Sequence, residues 1–385
     1  MCIICLNPTI SDMIRYIESK GDNERIMNSS LGKSLITRTF KCSNCPTLTR
    51  VPEEFGYLHE LYCYNCPSLT HIFPVSCSSY IRLSCSLRIL SCYNCPLITH
   101  IPEGLLELEK LICHNCPSLL EISEELVNLK YLDCRNCPLI TRIPKELVKL
   151  ETLSCDGCLL ITYIPVTLIE LEELWCDDCV SLTHIPKELV NLELISCRNC
   201  SLITHIPIEL VKLEELRCSN CPLITLPDIP KISNKSNMID KVLSHLGFQT
   251  RISSQIDLKA LDCVDCPSIT HIPKGYTHLK YLDVSGTNIT EIHEGLVDTT
   301  DFWCEDCPNL ICTPDHILDD EAKNMVESNL QQYRKKECKK FVYNILEELI
   351  QRTWEPTRAI DWCWDEEEKK FMMMYSSIHP TNSIQ

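Results

Sequence analysis

Over most of the chain, apolar residues recur with a long fixed period rather than with the alternation of one strand or the 3.6-residue turn of one helix. Counting from Leu129, apolar side chains fall at positions 1, 4, 6, 9, 12 and 15: Leu129, Leu132, Cys134, Cys137, Ile140 and Ile143. The pattern restarts 21 residues later, six times in succession between Cys92 and Cys218. Cys-x-x-Cys pairs mark the register, beginning at Cys42, Cys63, Cys92, Cys113, Cys134, Cys155, Cys176, Cys197, Cys218, Cys263 and Cys304. Two steps are longer: 29 residues from Cys63 to Cys92, and 45 from Cys218 to Cys263. A twelfth copy has Val284 and Thr287 where the others have cysteine. Self-similarity at such a period is the mark of a solenoid, in which each coil buries its apolar face against its neighbours.

Within a coil, positions 4, 5 and 6 read in–out–in, which predicts a short strand. Proline at position 16 blocks a helix there. A 21-residue coil leaves little room for one on the return side, so extended or 3₁₀ turns are expected. Position 8 holds Asn44, Asn65, Asn94, Asn115, Asn136, Gly157, Asp178, Asn199, Asn220, Asp265, Gly286 and Asp306. These residue types best tolerate positive φ, so a left-handed corner is expected directly after the strand. Stacked coils then give one parallel sheet, with both ends needing caps.

The copy Leu129-Lys-Tyr-Leu132-Asp-Cys134-Arg-Asn136-Cys137-Pro138-Leu-Ile140 resembles the leucine-rich repeat family, whose core reads L-x-x-L-x-L-x-x-N/C-x-L. The resemblance implies an α/β solenoid: a horseshoe of about 12 coils with a parallel sheet on the concave face, a short convex side and helical caps. It covers residues 37–314. Residues 1–36 are expected to form an N-terminal helical cap, with a helix from Ser11 to Gly21. The extra residues near 76–84 read as a loop. Residues 226–257 read as one enlarged coil holding a helix over 237–247, with a degenerate thirteenth repeat as the alternative. Residues 315–385 are expected to be a C-terminal helical cap and tail, with one or two helices over 319–349 packing on the last coil. The segment Arg352-Thr-Trp354-Glu-Pro356 through Glu368 resembles a tail found in proteins of giant, mimivirus-like DNA viruses of amoebae. That resemblance implies a viral source and a place in the infected cell's cytoplasm or the virion, not a chemistry.

Composition sharpens the picture at cysteine, with 29 of 385 residues. The start of the chain lacks the basic and apolar regions of a signal peptide, and no apolar run is long enough to cross a membrane. A reducing, cytoplasmic setting is therefore expected, which argues against native disulfides. Zinc is one alternative, because paired thiolates at this spacing are common half-sites. His71, His100, His184, His205 and His271 also recur five positions after the second cysteine. That position equally accepts Arg50, Glu121, Arg142, Tyr163 and Leu226, and one coil lacks both thiols. Position 6 is therefore read as a small core residue and position 9 as the buried turn residue that the family fills with Asn or Cys. Redox catalysis is disfavoured because no pair precedes a helix start. Cys2 and Cys5 lie outside the register and are assigned to the cap. Cys363 has no identifiable base beside it. No catalytic, metal or cofactor site is assigned.

The net charge of −17 argues against nucleic-acid binding, and no phosphate-cradling glycine loop is present. By the resemblance, positions 5 and 7 face the concave side and would carry the contacts. Aromatic and arginine side chains are the usual interface anchors. They single out Tyr62, Tyr64 and Tyr93 as a cluster near one end. Arg135, Asp156, Trp175, Asp177 and Arg198 lie in the middle, with Trp175 expected between Asp156, Asp177 and Arg198, and Trp303 lies near the other end. The expectation is a non-enzymatic scaffold binding a partner protein on that face, without nucleic acid, membrane or cofactor. The alternatives are a substrate-recruiting adaptor of ubiquitin transfer, or a zinc-loaded thiol protein.

Overall fold

The computed structural model describes residues 38–51, 58–73, 86–227, 256, 258–314 and 320–351. The expected helix over 11–21, the loop near 76–84, the helix over 237–247, Cys2, Cys5, Cys363 and the tail after 351 lie outside the described residues. The chain divides into two units, Met1–Cys307 and Pro308–Gln385.

The first unit is a series of short coils stacked along a parallel sheet. Its strands are β1 (Thr39–Lys41), β3 (Glu60–Tyr62), β5 (Ile89–Ser91), β6 (Lys110–Ile112), β7 (Tyr131–Asp133), β8 (Thr152–Ser154), β9 (Glu173–Trp175), β10 (Leu194–Ser196), β11 (Glu215–Arg217), β12 (Ala260–Asp262), β13 (Tyr281–Asp283) and β14 (Asp301–Trp303). They pair in chain order into one 12-stranded sheet. β2 (Arg50–Val51) and β4 (His71–Ile72) form a small second ladder on the return side. The fold is the expected parallel-sheet solenoid of leucine-rich-repeat type, one strand per coil.

The strand occupies positions 3 to 5, one residue earlier than the expected 4 to 6. The reason lies in the ladder. Position 6 still donates its N–H to the next coil, as Cys134 does to the Ser154 carbonyl at 2.8 Å, but the chain is already turning. Position 8 completes the turn, and all twelve of its residues have positive φ, from Asp306 at 50° to Gly157 at 69°. The left-handed corner is therefore present in every coil. Its N–H also reaches the next coil, as from Asn136 to the Asp156 carbonyl at 2.7 Å.

Both long steps are closed by direct pairing. β3 pairs with β5 through Tyr62 and Ser91, and β11 pairs with β12 through Arg217 and Asp262. The 45-residue step thus places no strand between β11 and β12 in the sheet. Positions 1, 4, 6, 9, 12 and 15 are buried in coil after coil. Position 19 joins them: Leu105, Leu126, Leu147, Leu168, Leu189 and Leu210 are all fully buried. This residue closes the return side, where i→i+3 turns such as Leu150 N–H to the Leu147 carbonyl (3.0 Å) fold the chain back toward the next strand.

Among the described residues of the second unit, the segment over 320–351 is one continuous helix, α1 (Asp320–Gln351). Its Asn329 amide donates to the Leu310 carbonyl at 3.1 Å. No described helix is long and apolar enough to cross a membrane.

Candidate functional site

Two features of the solenoid carry chemistry: the buried thiol columns and the open face of the sheet.

Both cysteines of all eleven pairs are buried free thiols. From Cys66 onward, each position-9 sulfur lies within reach of the carbonyl oxygen of position 6 in the preceding coil. The distance is 3.2 Å from Cys95 to Cys63, Cys137 to Cys113 and Cys158 to Cys134, and 2.9 Å from Cys266 to Cys218. Burial pushes the thiols of Cys63, Cys92 and Cys263 above their ordinary value, and that of Cys116 up to about 12. Such thiols stay protonated, so they pack and donate rather than attack. The recurring histidines are not near them. His71, His100, His184, His205 and His271 are exposed, each with Nδ1 beside the hydroxyl of the preceding threonine.

The corner residues form their own ladder. Asn65 donates its side-chain amide to Asn44, Asn94 to Asn65, Asn115 to Asn94 and Asn136 to Asn115, at 2.7 to 3.0 Å. It is interrupted at Gly157 and resumes from Asn199 to Asp178 at 2.8 Å.

On the open face, positions 3, 5 and 7 alternate outward along each coil. Tyr64 and Tyr93 stack at 4.7 Å between centroids, and His114 continues the stack on Tyr93 at 4.5 Å. Tyr62 stands apart. Its ring lies under Lys41 Nζ at 4.8 Å, and its hydroxyl donates to Glu60 at 3.3 Å. Lys110 caps the Tyr131 ring at 4.0 Å.

In the middle of the face, position 5 departs from expectation. Ser91, Asp133, Ser154 and Ser196 are buried rather than exposed; at Ser196 the large side chains of its strand partners, Trp175 and Arg217, meet at 5.3 Å. Arg135 grips Asp133 with two hydrogen bonds of 2.9 and 2.8 Å, and His114 Nδ1 lies 3.0 Å from the same carboxylate. Burial pushes the Asp133 carboxyl up, but Arg135 and His114 outweigh it and hold the group below its ordinary value. Asp156 goes the other way. Burial, with the nearby Asp177 carboxylate, raises it to about 6 against the opposing N–H donated by Asp177 and the pull of Arg135.

Arg198 bridges two coils. Its Nη2 donates to Asp262 at 2.8 Å and its Nη1 lies 4.0 Å from Asp177. Asp177 also accepts the Ser196 hydroxyl at 2.7 Å, and Asp262 accepts that of Ser219. The Trp175 indole N–H donates to Glu173 at 3.3 Å, and the Arg217 guanidinium lies over its ring at 5.3 Å. Arg217 is in turn paired with Glu215. Arg198, Glu215, Arg217, Asp262 and Tyr281 line a recess of about 270 Å³. Trp303 stands exposed at 52%.

Sequence reasoning missed His114, Asp133, Arg217, Asp262 and Tyr281 as members of these clusters. The available signal was the in–out alternation itself, which carries one position back from the strand to position 3 and forward to position 7.

Residues 128–150 match the family model described as Leucine Rich Repeat. The chain is similar to a solved structure of YopM, a leucine-rich effector protein from Yersinia pestis, at 19% identity and TM-score 0.45, over 73% of this chain and 66% of that one. It is also similar to the functional domain of InlJ from Listeria monocytogenes, which includes a cysteine ladder. There the identity is 20% and the TM-score 0.37, over 73% and 63% of the two chains. A third is the Arabidopsis receptor kinase HAESA in complex with the peptide hormone IDA and the co-receptor SERK1, at 16% identity and TM-score 0.41, over 66% and 42%. The chain thus spans two thirds or less of the length of each. No curated protein matches the sequence.

Proposed function

We propose that this protein is a non-enzymatic scaffold that binds a partner protein across the open face of its sheet, and that the partner presents a basic segment to the end formed by β12 to β14. One observation carries the charge assignment. Among the described residues, the ion pairs of this face end with Arg198–Asp262, and Asp283, Asp301 and Glu305 then follow around the exposed Trp303. An exposed tryptophan ringed by carboxylates suits an arginine- or lysine-bearing segment, with the ring as anchor and the acids steering its approach. The stacked Tyr64–Tyr93–His114 surface and the Trp175–Arg217 pair supply further large, pre-ordered contact area. The proposed setting, on the resemblance of residues 352–368 to a viral tail, is the cytoplasm of an infected cell or a virion.

Affinity capture with the full chain, compared with a Trp303→Ala/Asp283→Lys/Asp301→Lys variant and a Trp175→Ala/Arg198→Ala variant, tests the reading. A partner held by the wild type in low salt and lost from both variants, whose thermal unfolding is unchanged, supports it. A partner retained by both variants sinks the proposal.

A further inference from the structure

The thiol ladder changes character at its first described coil. In every later coil with a cysteine at position 9, that sulfur is within reach of the position-6 carbonyl of the coil before. Cys45 instead has its Sγ 3.0 Å from Cys42 Sγ and 3.6 Å from the Ser43 carbonyl. Here the Cys42 thiol donates to the Cys45 sulfur. One coil on, Cys66 reaches the Cys42 carbonyl at 3.6 Å, the longest such contact in the ladder, against 2.9 to 3.3 Å elsewhere. Its sulfur also lies 3.5 Å from the Tyr64 carbonyl, so both of its backbone contacts are long. All three side chains are buried, at 1%, 2% and 0% exposure, and their sulfurs lie within 4.8 Å of one another. Among the described residues, this is the group of three potential ligand atoms gathered so closely.

We propose that Cys42, Cys45 and Cys66 form a trigonal thiolate site for a soft monovalent ion, copper(I).

The geometry suits the ion. A metal–sulfur bond of about 2.3 Å puts the corners of a trigonal site about 4 Å apart, so Cys42 and Cys45, at 3.0 Å, part by about 1 Å on binding, and all three sulfurs already lie within 4.8 Å of one another. Zinc closes its structural sites with four ligands, whereas three soft thiolates in a dry pocket match copper(I). On binding, each thiol yields its proton to solvent and its sulfur lone pair to the ion, with no change of oxidation state. The remaining columns keep their role as packed, protonated donors.

The chain itself supplies the substitutions for a test, since Val284 and Thr287 replace the two thiols in one coil while remaining fully buried. The full-length protein is titrated anaerobically with copper(I) against the chelator bicinchoninate. The same titration is run on Cys42→Val/Cys45→Thr/Cys66→Thr and, as a control, on Cys176→Val/Cys179→Thr/Cys200→Thr. The expected result is one tightly held ion per chain with three sulfur neighbours by X-ray absorption, kept by the control. The first variant should lose more than about a hundredfold in affinity, beyond what outer-shell changes produce. Single Cys45→Thr, which leaves the ladder contacts in place, repeats the comparison if the triple variant unfolds. The proposal is overturned if the wild type holds no ion against the chelator, if ions bind in proportion to all eleven pairs, or if both triple variants lose affinity equally.

Discussion

The Cys200 thiol donates to the carbonyl oxygen of Cys176, one coil earlier, at 3.1 Å. The same relationship links Cys307 to Val284 at 3.1 Å, although valine has no thiol. The acceptor is the backbone, so the two cysteines of a pair have different jobs. Position 6 fills volume. Position 9 supplies a buried donor.

Replacing them should therefore have unequal effects. Cys176→Val keeps the shape and the acceptor, and should cost less than about 1.5 kcal/mol. Cys200→Val removes a hydrogen-bond donor inside the core, and should cost about 1 to 3 kcal/mol. Cys200→Thr, which restores a donor, should recover part of that loss. Urea unfolding midpoints of the three variants check the order, and equal midpoints for the two valine variants would contradict the division of labour.

Gly157 interrupts the asparagine ladder at φ +69°, where an added Cβ would stand 2.6 Å from Asn136 Oδ1. Gly157→Ala should destabilise by about 1 to 2 kcal/mol through the left-handed backbone alone. Gly157→Asn should be milder, because asparagine tolerates that φ and its amide can donate to Asn136 as in the preceding coils. Thermal unfolding of the two variants side by side gives the comparison; alanine as the better-tolerated residue would refute the ladder argument.

Asp156 should make the protein less stable as pH rises. Its carboxyl is raised from 3.8 to about 6, so between those values the folded state holds more protons than the unfolded chain. Ionising it then weakens the fold across that window. Asp156→Asn removes this slope, and its melting temperature relative to wild type should climb from pH 4 to pH 7. A constant offset would argue against it.

Asp133 should show the opposite slope. Its carboxyl is held below 3.8, so its contribution is fully present above that value and is lost as pH falls through the lower folded value. Asp133→Asn should be clearly destabilised at pH 7, with the deficit narrowing toward pH 3. Circular-dichroism melts over that range measure it, and a deficit independent of pH would discount the Arg135 and His114 contacts.

The corner at position 8 was legible because only residues tolerant of positive φ occur there, and each of them adopts it. Burial of the thiol columns was legible because Val284 and Thr287 show what those places accept. The hydrogen bond made by position 9 was not, since side-chain spacing says nothing about where a carbonyl points. Nor was the burial of Asp133, which depends on how Arg135 and His114 fold over it. Arg198 and Asp262 lie 64 residues apart, and they become neighbours only because the long step after β11 adds no strand. That contact could be drawn from sequence only after deciding what the irregular segment does.

The direct pairing of β11 with β12 reaches further than the contact it creates. Doubling the length of a closed loop costs only about 0.6 kcal/mol in chain entropy, while a strand out of register forfeits its core side chain and its ladder bonds together. The sheet therefore counts coils and not residues. Whole 21-residue units can be added or removed as single steps, and segments of other lengths can be grafted between coils, without renumbering the face that meets a partner.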